Sequence, residues 1–124
     1  MMDYSQLSDF EINKRVAICI HPEIRDWNCY DVSGRACFVI NENTRKRVQF
    51  GFSFTTNPAD AWPIILKNGI NVFTDMIPHG LLGQARASVI SHEHASSECI
   101  IANDANPLRA AMIVFLMMQE SQHA

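Results

Sequence analysis

The densest group of chemistry-bearing side chains in the 124-residue chain is His92-x-His94-x₄-Cys99, with Glu93 inside it and His79 upstream. These are metal-ligand types, but zinc needs about four of them converging tetrahedrally, usually as two close pairs. A second pair is missing, so His92, His94 and Cys99 read better as solvated loop residues than as a metal site, and no cofactor is expected. The second group is Arg45-Lys46-Arg47. Clustered cations bind a nucleic-acid backbone by releasing its counterions, and Tyr30 or the nearby phenylalanines would add stacking. The same three charges also suit an ordinary turn that stays soluble and discourages edge pairing. Ser91-His92 and Cys99 have the types needed for nucleophilic catalysis, yet no Gly-x-Ser-x-Gly elbow or cysteine-protease signature surrounds them. Asp31, Asp60, Asp75, Glu93 and Asp104 are scattered, and no Gly-x-Gly-x-x-Gly or phosphate-loop motif is present. The residues therefore favour a binding protein over an enzyme.

Composition narrows the partners. A formal net charge of −3 gives no global electrostatic reason to approach nucleic acid or an anionic membrane. Asp3, Asp9 and Glu11 interrupt the start, so no secretory signal is predicted and the expected location is the cytoplasm. The most apolar run, Ala110 to Met118, is about half of the roughly 20 residues a spanning helix needs, and no membrane association is expected. Cys19, Cys29, Cys37 and Cys99 match no paired spacing and are expected to be free thiols, mostly buried.

The elements that must position these residues follow from periodicity and punctuation. Ser8-Asp9-Phe10-Glu11 fits a capping box, and Ile12, Val16, Cys19 and Ile20 then recur on one helical face until Pro22 ends the helix near Ile20. From Glu23 to Arg35 the mixed polar sequence predicts a loop anchored by Trp27 and Tyr30. Ala36 to Ile40, and Val48, Phe50, Phe52 and Phe54 in alternation, predict an antiparallel hairpin with the basic triad at its turn and the phenylalanines facing the core. Asn57-Pro58 opens a second helix, kinked at Pro63 and stopped at Gly69, with Trp62 as a core anchor. Ile70 to Phe73, Ala85 to Ile90 and Glu98 to Ala102 read as strands. Asn106-Pro107 opens a last helix that is apolar around most of its circumference. Such a helix must be buried on several sides, by the sheet and by another helix or a partner chain, which leaves a homodimer open. Arg109, disfavoured by the dipole of that helix, calls for a salt bridge to Asp104 or Asp60. The expected architecture is a single α+β domain, residues 1–124, with a mainly antiparallel sheet and three helices layered helix-sheet-helix.

Three stretches, from Asp3 to Lys14, from Asn57 to Ile65 and from Asn106 to Glu120, together resemble the NinX-like proteins of lambda-like bacteriophages. The resemblance implies a phage or prophage origin, work inside a bacterial host and an accessory role, but no activity. It predicts a protein that binds a host or phage protein, with a nucleic-acid-binding module built on the basic turn as the alternative. The matched stretches contain the helix starts, which are scaffold. A local function is then expected in the intervening stretches.

Overall fold

The computed structural model describes residues 2–74, 85–91 and 98–122. Helix α1 (Asp9–Ile20) starts where Ser8, in an extended conformation, accepts the Glu11 amide on its hydroxyl at 3.2 Å. The reciprocal bond of a full capping box is not made, so the cap is one-sided. Ile12, Val16 and Ala17 point into the core, and the helix ends before Pro22, which opens a 3-10 turn over Pro22–Ile24.

The stretch expected to be a loop contains a strand. β1 (Asn28–Val32) pairs antiparallel with β2 (Arg35–Ile40), Val32 standing opposite Arg35. The two residues between them explain it: Ser33 and Gly34 have φ of 54° and 87°, the double left-handed pattern of a type I′ hairpin turn. Asp31 Oδ1 accepts the Gly34 amide at 2.9 Å and holds the turn closed. β3 (Val48–Phe52) then pairs with β2 as the predicted hairpin, Ile40 opposite Val48, with the basic triad in the connection.

Helix α2 (Pro58–Lys67) is capped by Asn57, whose Oδ1 accepts the Ala59 amide at 3.0 Å, and Gly69 follows its end with φ of 64°. It runs through Pro63 as one helix. The carbonyl deprived of a donor belongs to Ala59, on the exposed side where water can serve it. β4 (Asn71–Phe73), β5 (Ala85–Ser91) and β6 (Glu98–Asp104) form a second antiparallel sheet, with β5 central. Helix α3 (Pro107–Gln122) begins at Asn106, whose Oδ1 accepts the amides of Leu108 at 2.9 Å and Arg109 at 3.2 Å.

The α+β class, the three helices and the antiparallel pairing agree with the sequence; the layering does not. Instead of one sheet between helices there are two three-stranded sheets with the helices between them. α3 packs on β5 and β6 on one side and on α1 and α2 on the other, while α1 packs on β2. This double coverage is what a helix buried continuously from Ala110 to Leu116 requires. Small side chains on the inner face of the second sheet, Ala85, Ala87 and Ala102, let α3 come close. Phe38, Phe54, Ile12 and Met112 are the largest fully buried side chains, each stabilising the fold by roughly 1.5–3 kcal/mol. Among the described residues no helix is long and apolar enough to cross a membrane.

A polar seam ties the helix starts together beneath this core. Asn13, fully buried, donates to the Gly34 carbonyl at 2.9 Å and accepts the Thr55 amide on Oδ1 at 3.1 Å. The Thr55 carbonyl in turn accepts from Asn106 Nδ2 at 2.5 Å. Arg109 extends the seam: its guanidinium donates to Asp9 at 2.7 Å, to Asp104 at 3.0 Å and to the Leu7 carbonyl at 2.5 Å. The predicted bridge to Asp104 is present, and the second carboxylate on Arg109 is Asp9, while Asp60 accepts the Ser53 amide instead.

Candidate functional site

The hairpin turn that carries Arg45, Lys46 and Arg47 is built from its own polar groups. Asn41 adopts a φ of 59°, which Asn tolerates better than most residues, and donates from Nδ2 to the Lys46 carbonyl at 3.3 Å. The Thr44 hydroxyl donates to the Asn41 carbonyl at 2.8 Å and accepts the Lys46 amide at 3.1 Å. The backbone is thus served locally, and all three cationic side chains are exposed without an ion pair among the described residues. Glu42 braces the turn against β1, accepting the Tyr30 hydroxyl at 2.6 Å and Asn28 Nδ2 at 2.9 Å. Those two donors hold the Glu42 carboxyl below its usual range, with Arg47 adding attraction, and the same bond pushes the Tyr30 phenol up.

Next to this turn runs β3, and here the structure corrects the sequence reading. The phenylalanines do not all face the core: burial is graded along the strand and past its end, with Phe50 49% exposed, Phe52 half-buried and Phe54, in the turn that follows β3, buried. The cause is the reach of α1, which covers the central strand β2 more than it covers β3 at the sheet margin. Trp27 partly fills the gap, its ring stacked on Phe50 at 5.9 Å and 25°. His21 lies 5.6 Å from Phe52, which itself stacks on Phe54 at 5.4 Å. Between them is a depression of about 240 Å³ lined by His21, Glu23, Ile24, Phe50 and Phe52.

β3 is also an edge. Its outer side has no strand neighbour among the described residues, and its five residues, Val48-Gln49-Phe50-Gly51-Phe52, carry no charge. Proteins usually blunt such edges with charges, shortness or covering elements, because unpaired backbone groups recruit other strands. The other three edges are better guarded: β1 carries Asp31 and a Tyr30 tied down by Glu42, β4 has three residues, and β6 carries Glu98 and Asp104 in sequence. The Arg35 guanidinium, the far end of a flexible side chain, lies across Gly51, where a Cβ would stand 2.8 Å from it and push it aside. The site therefore combines an open backbone edge, an aromatic shelf and a cationic turn.

The other sequence candidates fare differently. His92, His94, Glu93 and His79 lie outside the described residues, and Cys99 is exposed on β6. No group of residues able to hold a metal ion is found among the described residues. The cysteines are free, but Cys19 and Cys99 are exposed and Cys29 is half-buried, leaving only Cys37 buried as expected. Trp62 is not a core anchor: it is 55% exposed, and with Leu66 at 62% it forms a ridge on the outward side of α2, whose inward side is Ala61, Ile64 and Ile65. Sequence reasoning missed the β1 hairpin and the Trp27 shelf. The Ser33-Gly34 pair was the available signal for the first.

The fold is thus α+β with an open edge at β3, and sequence comparison gives the family. The family model described as Bacteriophage P22, NinX matches residues 3–119. The chain belongs to this bacteriophage family, as the three resembling stretches indicated. No curated protein matches it. Those stretches include Asp9, Asn13, Asn106 and Arg109, four residues of the polar seam.

Proposed function

We propose that this phage accessory protein acts by binding, and that the β3 edge receives an extended, acidic segment of a host or phage protein as an added strand. The observation that carries the reading is the uncharged, unpaired β3 edge with Phe50 exposed beside Trp27 and Arg45-Lys46-Arg47 at one end. In strand addition, main-chain hydrogen bonds provide affinity and pockets for alternate side chains provide specificity. The depression beside Phe52 suits one apolar side chain of the incoming strand. The basic turn suits carboxylates at its end and would speed encounter, an effect that salt weakens.

Half-exposed Phe50 next to three cations also favours the nucleic-acid reading, since bases stack on such rings. One feature weighs against it: one face of Phe50 is already covered by Trp27, which leaves less of the ring for a base to stack on.

A random-peptide display selection against the folded protein, followed by amide mapping of the bound peptides, tests the proposal. The expected ligands are acidic, have apolar residues at alternate positions and slow exchange of the β3 amides. Replacing Arg45, Lys46 and Arg47 together with Ala should lower the association rate about tenfold or more at low salt. Selected peptides that are neutral or basic, or that map elsewhere, overturn it. Salt-sensitive binding of single-stranded oligonucleotides, lost in the same triple variant, would instead establish the nucleic-acid reading.

A further inference from the structure

On the far side of α1 from the β3 edge, the seam between α1 and α3 opens into a cavity of about 470 Å³. Its size falls within the usual range for small-molecule sites. Ile18 and Leu116 provide apolar walls, and Tyr4, Arg15, Cys19 and Glu120 provide the polar groups. The polar groups are not equally engaged. Glu120 is satisfied, accepting the Tyr4 hydroxyl at 2.8 Å on one oxygen and the Met2 amide at 3.4 Å on the other. Arg15 is not: its Nε is buried with no hydrogen-bond partner, and no carboxylate lies within ion-pair distance among the described residues.

We infer that this cavity binds a small amphipathic carboxylate, its apolar body between Ile18 and Leu116 and its carboxylate on the Arg15 guanidinium. A buried guanidinium atom without an acceptor costs free energy, and an anionic ligand removes that cost. The carboxylate matches the planar donor fork of Arg, which favours it over a neutral polar head. The sign of the field at the mouth agrees. Arg25 and Arg15 both act on the Cys19 thiol in the direction that favours its anion, although burial outweighs them and pushes the thiol up. The Tyr4 phenol, pushed up to about 12 by burial and its bond to Glu120, stays neutral and keeps the Glu120 charge engaged. Glu120 and Arg15 both stay charged at the cavity, but the Glu120 oxygens are turned to the Tyr4 hydroxyl and the Met2 amide, whereas Arg15 has no carboxylate partner among the described residues.

Titration of the full chain with octanoate and with octanol, followed by amide chemical-shift mapping, tests this directly. Octanoate is expected to bind about tenfold or more tightly than octanol, as a charge-assisted hydrogen bond implies, with shifts centred on Arg15, Ile18 and Leu116. Arg15→Gln should erase the difference between the two probes. Ile18→Trp keeps the cation but fills the cavity, and should abolish octanoate binding with the thermal midpoint unchanged. Equal affinities for the two probes, an octanoate affinity indifferent to Arg15→Gln, binding that survives Ile18→Trp, or no binding of octanoate at millimolar concentration would each overturn the inference.

Discussion

The polar seam and the β3 edge are both built from hydrogen-bonding groups close to hydrophobic side chains, and they resolve that situation in opposite ways. Along the seam, Asn13, Thr55, Asn106 and Arg109 point inward and find protein partners, so that three segments far apart in sequence are locked together. Along β3 the outer backbone groups have no strand partner, and Phe50 lies half in solvent. A buried polar group without a partner is costly, whereas one at an edge is served by water until something better arrives. The seam is accordingly where the fold is specified, and the edge is where the molecule can act without disturbing that specification.

Substitutions that break the seam should therefore cost stability, and substitutions on the edge should cost binding. Asn13→Ala is expected to have the largest effect, about 3 kcal/mol, because it strands the buried Thr55 amide and the Gly34 carbonyl; denaturant unfolding gives the value directly. Arg109→Met should cost about 2 kcal/mol, less than a fully buried pair because Asp9 remains open to water, and the same unfolding curves report it.

Tyr4 sharpens the comparison with pH. Its folded-state pKa, about 12, lies above the ordinary value of 10.0 that applies in the unfolded chain. The stabilisation it contributes is thus fully present below pH 10.0 and is lost as pH rises toward about 12. Tyr4→Phe should flatten the alkaline fall in unfolding free energy between those values. An unchanged slope in that variant would mean that the phenol is not so held. The smallest stability effect is expected at the edge: Phe50→Asp should lower the unfolding free energy by about 1 kcal/mol, since it loses the stacking on Trp27 but no fully buried group.

Much of this organisation is legible in the sequence, and the failures have physical causes. Helix starts at Ser8, Asn57 and Asn106 are local events, decided by a capping side chain and its nearest amides, so their residues announce them. β1 escaped because Asn28, Cys29, Tyr30, Asp31 and Val32 show no clean alternation; its pairing comes from the left-handed Ser33-Gly34 turn and from β2. Trp62 was misplaced because helix periodicity does not say which side of α2 meets α3, and the smaller Ala61, Ile64 and Ile65 took the core. The sheet-helix-helix-sheet order depends on how two separate hairpin systems divide around α3, a long-range outcome no local pattern encodes. At the candidate site the cationic turn was visible as a charge run. The exposure of Phe50 was not, since an alternating strand looks the same at the centre of a sheet and at its edge.

Amide hydrogen exchange of the free protein and of its complex with a selected acidic peptide, compared residue by residue with the Phe50→Asp variant, bears most directly on the division between seam and edge. The account predicts that amides from Val48 to Phe52 slow on binding, that the amides of Asn13, Thr55 and Asn106 do not change, and that Phe50→Asp abolishes the slowing while the variant remains folded. Slowing confined to α2 around Trp62 and Leu66, or binding that survives Phe50→Asp, would contradict it.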